Sequence, residues 1–249
     1  MITKLELQKY ANLKSLNLGQ AEKDYCQNIV LFCVYRIYAN EIVFKGGTAL
    51  SKCYGLDRFS EDLDFTSTVP FSTIKLKEQL DKFMKYEIIE KTVAGNNLKI
   101  TLNIYGPLYN GIKHSTCKLI LDVSYRENII NKPNIKKIIT EQGVPSFDVV
   151  VMTTQEILSE KVRAIMTREK ARDVYDLYYL VAKNTEIDIE LIKEKLKFYN
   201  ETWSLNKFIE KLENKEKIWK TEIPQLILNV PDFKEVKKEI ISYFKKSSS

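Results

Sequence analysis

The sequence predicts an α+β protein, with a mixed sheet and its helices over residues 1–150 and helices alone over 151–249. Three observations carry this reading. "EIVF" (41–44) has strand character, runs into Gly46-Gly47 and leaves as a helical turn. "LKITLNIYG" (98–106) and "CKLILDVSY" (117–125) alternate apolar and polar residues on either side of a turn-rich loop, as a hairpin does. From about residue 154 onward the apolar residues recur at helical spacing to the end of the chain.

The elements follow in order. Ile29, Phe32, Cys33 and Ile37 place a helix over 17–39. "TALSKCYG" is a short helix closed by Gly55, and "DLDFTS" (62–67) is a strand. A polar helix is expected over 71–85, and the hairpin comes next. Pro133, Gly143 and Pro145 mark turns in a mixed stretch. Helices are then expected over 154–166, 171–183, 188–199, 204–219 and 232–245, with Pro224 and Pro231 punctuating the last two. No internal repeat is visible, and the serine tail is expected to fray.

Composition narrows the chemistry. With 44% hydrophobic and 29% charged residues, the chain has an ordinary globular balance. No apolar run reaches the roughly 18 residues of a membrane span, and the N-terminus lacks a signal-peptide core, so a cytoplasmic protein without a membrane partner is expected. The four cysteines are scattered without metal-type spacing, which suits reduced thiols. His114 is the single histidine, which disfavours a His-based zinc site or a Ser-His-Asp triad. Catalysis would rest on carboxylates, lysine and a metal. The net charge of +6 suits a polyanionic partner without requiring one.

The densest chemistry lies in "FKGGTALSKCYGLDRFSEDLDFTS" (44–67). A glycine pair between strand and helix presents unpaired N–H groups at the helix's positive end, and the missing side chains let a phosphate approach the backbone. Thr48 is placed either to cap that helix or to donate its hydroxyl to a phosphate. Alone, such a pair is most often only a turn. Asp62 and Asp64 are two apart, so on a strand they share one side while Leu63 and Phe65 face the core. Neighbouring carboxylates repel unless one is protonated or a cation lies between them, and Mg²⁺ is the natural cation. The plainer alternative is a solvent-facing strand end. Asp122, mid-strand in "LILDVS", is costly there unless paired or metal-bound. If its strand adjoins "DLDF", the acids form the triad of a two-metal phosphoryl transfer; otherwise Asp122 pairs with Arg126 or a nearby lysine.

A second cluster lies in "QEILSEKVRAIMTREKARDVYDLYYLVAK" (155–183). Ile157, Lys161 and Ile165 are spaced by four, so Lys161 sits in an apolar stripe. It either snorkels to solvent or reaches beyond its own domain to a triphosphate. Arg168, Lys170 and Arg172 crowd the next turn; Asp176 is spaced to pair with Arg172, and Asp173 suits the first turn of a helix.

"KGGTALSKCYGLDRFSEDLDF" resembles the first motif of the AbiEii/AbiGii toxin family, nucleotidyltransferase-like proteins with a DNA polymerase β-type core: Gly-[Gly/Ser], a spacer, then Asp-x-Asp. "EKVRAIMTREKARDVYDLYYL" is similar to that family's second block, a lysine and an arginine followed by Arg-Asp-x-x-Asp, and "PDFKEVKKEI" resembles its C-terminal segments. The resemblance implies a polymerase β-like nucleotidyltransferase core over 1–150 and a helical C-terminal domain over 151–249. Gly46, Gly47 and Thr48 would cradle the phosphates. Asp62 and Asp64 would bind Mg²⁺ or Mn²⁺, with Asp122 the third carboxylate of the wider superfamily. Lys161 and Arg168 would meet the triphosphate, and Asp176 would be the acid on which activity depends. Ser60 matches a position modified in some relatives to silence the toxin.

The activity implied is transfer of a nucleoside monophosphate from an NTP to RNA, the tRNA 3′ end foremost, in a type IV toxin–antitoxin or abortive-infection system. The cognate antitoxin need not touch the protein. The basic stretches 131–137 and 163–172 suit RNA, and Tyr199 and Trp203 are placed to stack on an unpaired end. Transfer to a protein hydroxyl, or a non-catalytic binding role on the same scaffold, stays open.

Overall fold

The computed structural model describes residues 1–94, 96–126, 128–140, 143–227 and 229–246; the terminal serines expected to fray lie outside them. The chain forms two compact units. The first comprises residues 1–53, 60–128 and 133–151, and the second comprises 54–59, 129–132 and 152–249. Among the described residues no helix is long and apolar enough to cross a membrane.

The first unit is built on a seven-stranded mixed sheet. Its strands are β1 (Ile42–Lys45), β2 (Leu63–Ser67), β3 (Tyr86–Ala94), β4 (Asn97–Ile104), β5 (Cys117–Ser124), β6 (Asn134–Ile138) and β7 (Phe147–Val151). They lie in the order β3-β4-β5-β2-β1-β7-β6. β2 runs parallel to β5 and β1 parallel to β7, and the other neighbours are antiparallel. The expected hairpin is present as β4 and β5, with Leu98 opposite Val123 and Ile104 opposite Cys117. Alternation decides which face is covered: Leu98, Ile100, Leu102, Leu119, Leu121 and Val123 are buried.

Helix α1 (Lys4–Lys14) opens on a capping box made by Thr3 and Glu6, and α2 (Leu18–Tyr38) on one made by Asn17 and Gln20. α2 is buried along most of its length and packs on β5 and β7. α3 (Gly46–Tyr54) leaves β1 directly, and α4 (Thr73–Leu80) is shorter than the helix expected over 71–85. Strand β3 was not foreseen. A bulge between Ile88 and Glu90 breaks its two-residue period, so the alternation that marks a strand is absent from the sequence.

The second unit holds α5 (Thr154–Thr167), α6 (Ala171–Ala182), α7 (Ile189–Lys197), α8 (Leu205–Glu213), α9 (Glu216–Glu222) and α10 (Phe233–Lys246). The single helix expected over 204–219 is two, α8 and α9, broken at Lys215. Lys215 is fully buried and its ammonium bonds Glu169 at 2.6 Å. Glu156, also fully buried, accepts from the backbone N–H groups of Ile130 and Asn131 and from Lys195.

One side chain completes the sheet. β1 and β7 share a single register pair, Phe44 and Val151. Beside it the Tyr35 hydroxyl accepts from the Phe44 N–H at 3.1 Å and donates to the Val150 carbonyl at 2.6 Å, replacing a missing rung of the ladder. Burial pushes this hydroxyl's pKa up, which keeps it a donor. Tyr35→Phe should leave both backbone groups unpaired and lower stability by about 1–3 kcal/mol, read from urea unfolding.

Candidate active site

The site in the first unit is a row across four neighbouring strands. Lys99 on β4 lies opposite Asp122 on β5, Asp122 beside Asp64 on β2, and Asp64 opposite Lys45 on β1. Residues paired in register point to the same face, so two carboxylates stand side by side between two lysines. The row opens in one direction: Lys45 is buried, Asp64 and Asp122 are half-buried, and Lys99 is exposed. The Asn97 side-chain N–H donates to the Asp122 carboxylate at 3.4 Å. Leu63, Phe65, Leu121 and Val123 fill the opposite face, as the alternation requires.

The glycine turn abuts this row. Gly46 has φ +75°, in the left-handed region that favours glycine. A Cβ there would lie 2.4 Å from Asp64 Oδ2, so only glycine lets the turn approach that carboxylate. Gly47 is buried in the first turn of α3. Thr48 is 1% exposed, and its hydroxyl donates to the Asp62 carbonyl. The buried Gln27 of α2 donates its amide N–H groups to the Ser60 and Glu61 carbonyls, both at 2.9 Å. Three successive carbonyls leading into β2 are thus held by side chains of α2 and α3.

Asp62 stands one residue before β2 begins. Among the described residues no group of three or more His, Cys, Asp or Glu side chains is arranged to hold a metal ion, so the expected triad is not closed as a cage. The register pair Asp64–Asp122 nonetheless has the donor chemistry Mg²⁺ prefers, since this ion commonly takes one or two carboxylates and fills its shell with water and substrate phosphates.

The second block forms a different structure. In the second unit Arg58 presents its fork to Asp176, with Nε to Oδ1 at 2.6 Å and Nη2 to Oδ2 at 2.7 Å. Lys161 bonds Asp176 at 2.7 Å and Asp173 at 2.9 Å, and Arg168 bonds both oxygens of Asp173. Both aspartates are fully buried and Lys161 is 7% exposed. Burial alone would raise the Asp176 carboxyl, but Arg58 and Lys161 outweigh it and hold the pKa below the ordinary carboxylate value. The same balance, struck by Lys161 and Arg168, holds Asp173 well below that range.

Several expectations change accordingly. Asp176 pairs with Arg58 and not with Arg172, Asp173 is far more than a first-turn acid, and the Lys161 ammonium is bound within its own unit. Arg58 went unremarked because its partner is 118 residues away. Lys45 and Lys99 went unremarked because only strand pairing reveals that they flank the acids. Tyr199 carries the Arg163 guanidinium at 4.4 Å, and Trp203 packs on Phe208 and Phe244, so both rings proposed for base stacking have internal partners.

Asp173 and Asp176 are depressed in the folded state, so their contribution is present above the unfolded carboxyl value of about 3.9 and is lost as pH falls toward the folded values. Thermal melts should therefore fall below about pH 4. Asp176→Asn should lose about 3–5 kcal/mol at neutral pH by leaving the buried Arg58 guanidinium without its carboxylate, and should show a shallower decline over the acid window.

The family described as "Nucleotidyl transferase AbiEii toxin, Type IV TA system" matches residues 29–239. An uncharacterised protein of Aquifex aeolicus (strain VF5) is 28% identical over 147 residues, 58% of this chain; the match spans 60% of that curated relative's length. MenT4, the nucleotidyltransferase toxin Rv2826c from Mycobacterium tuberculosis H37Rv, is similar in fold with a TM-score of 0.66 and 17% identity, over 100% of this chain and 90% of its own. JHP933 from Helicobacter pylori gives 0.64 and 20%, over 92% and 93% of the two chains. At these identities the structural likeness is one of fold. The family match covers most of the chain: this protein belongs to the AbiEii family of nucleotidyl transferase toxins of type IV toxin–antitoxin systems.

Proposed function

We propose that this protein transfers a nucleoside monophosphate from an NTP to a hydroxyl of RNA, the tRNA 3′ end foremost, in a metal-dependent reaction that a cognate antitoxin opposes. The observation that carries the reading is the placement of Asp64 beside Asp122 with the Gly46 turn against the Asp64 carboxylate. A pair of acids in register beside a phosphate-accepting turn has no evident structural use, whereas a polyphosphate carried with a divalent cation needs both.

Gly46 and Gly47 bring backbone N–H groups at the start of α3 to the triphosphate. Thr48 and Gln27 hold the chain that carries Asp62 and Asp64, so the acids are in place before substrate arrives. Asp64 and Asp122, with Asp62 at the strand entrance, would hold Mg²⁺ or Mn²⁺, which when bound supplies positive charge to the phosphates and acidifies the acceptor hydroxyl. The acceptor oxygen bonds to the α-phosphorus and gives its proton to solvent, the bond from that phosphorus to the bridging oxygen breaks, and pyrophosphate leaves with the bonding electrons. Lys161 and Asp176 act as a scaffold for Arg168. Arg168, 47% exposed, is the member of this network that lies nearest the surface. Ser60 is half-buried two residues before Asp62, where a phosphate on its hydroxyl would add negative charge close to the acids.

Incubation with each α-labelled NTP, Mg²⁺ and total tRNA should put label into RNA. Asp64→Ala and Asp122→Ala should each lower the rate by at least about 10²-fold, the loss expected when several kcal/mol of charge stabilisation go. Asp148→Ala, exposed on β7, should not. Label in protein alone, or none in any sample, would refute the reading.

A further inference from the structure

In-line transfer sets the attacking and leaving oxygens on opposite sides of the α-phosphorus. The row of charged residues has two unlike ends. At one end the Gly46 turn presses on Asp64, and Lys45 opposite it is buried. That end is closed and suits the part of the NTP that leaves as pyrophosphate. On the other side of Asp122 lies β4, where Lys99 is exposed. A macromolecular acceptor has to arrive from the open end, so its hydroxyl reaches the α-phosphorus from the Asp122 side.

An RNA arriving there meets a difficulty of charge. Two half-buried carboxylates repel a polyanion, and the phosphodiester next to a terminal hydroxyl comes close to both. Lys99 is the cation that the register places at this end, on the same face as Asp122 and one strand further out. A lysine stem is flexible and its ammonium accepts a phosphate in many geometries, as a terminus delivered to a reaction centre requires. A neutral protein hydroxyl would need no such cation.

We propose that Lys99 is a substrate-binding residue on the acceptor side, contacting the phosphodiester that adjoins the attacking hydroxyl. This rests on the nucleotidyl-transfer reading and adds the direction from which the acceptor comes. Since Lys99 is exposed, Lys99→Met and Lys99→Arg should fold and melt as the wild type does. Lys99→Met should raise the KM for total tRNA roughly tenfold while leaving the KM for NTP within about twofold, and Lys99→Arg should stay close to wild type. Titrating total tRNA at several KCl concentrations, without NTP or metal, gives a readout independent of turnover: the salt slope should shrink by about 0.7–1 in Lys99→Met. An unchanged tRNA KM and slope, or a rise in the NTP KM in place of the tRNA KM, overturns the assignment of Lys99 alone. A wild type that labels no RNA overturns the proposed function and this inference with it, and does so before any variant is compared.

Discussion

Two carboxylates forced into register on adjacent parallel strands are the constraint around which the sheet is organised. Asp64 and Asp122 point the same way from β2 and β5, within reach of each other's charge. A protein selected for stability alone would place a hydroxyl or a methyl at one of these positions. Here the repulsion is met by Lys45 in the flanking strand, by the Asn97 amide on Asp122, and by partial exposure of both acids. The opposite faces of the same strands are mostly apolar, and α2 packs on that of β5, so the polar row is kept apart from the core.

The helical unit solves a related problem by enclosure. Arg58, Lys161 and Arg168 surround Asp173 and Asp176 so completely that both acids stay ionised despite burial. A network of this kind contributes little net stability compared with apolar packing, because desolvation consumes most of the Coulomb gain. What it provides is definition: each oxygen of Asp176 has a named partner, and the bidentate fork from Arg58 admits one arrangement of the two. Arg58 lies in the spacer of the first motif, between Gly47 and Asp62, and its carboxylate partner Asp176 lies in the second block.

Much of this was legible beforehand, and the rest failed for identifiable reasons. The α+β class, the β4–β5 hairpin and most of the helices were readable, because apolar periodicity is local and strong. The adjacency of "DLDF" and "LILDVS" stands in the sequence only as a condition, and the β2–β5 register meets it. Strand β3 was hidden by its bulge, and the break between α8 and α9 by the helical propensity of the residues on either side. The side-chain partners were not readable. Thr48 has the same sequence context whether its hydroxyl faces a phosphate or the Asp62 carbonyl, and Lys161 lies on the same stripe whether it snorkels or binds two aspartates. Spacing reports which face a residue occupies, and partners are settled by chain segments far away in sequence.

The Gln27 amide makes the point in a single atom. Its nitrogen grips two consecutive carbonyl oxygens, and glutamate would fill the same volume at that position. Exchanging nitrogen for oxygen would turn a donor into a third acceptor aimed at two others, replacing attraction by repulsion inside a space closed to water. Hydrolytic ageing of one side chain, without any change in its shape, would therefore unseat the strand that begins three residues beyond Ser60.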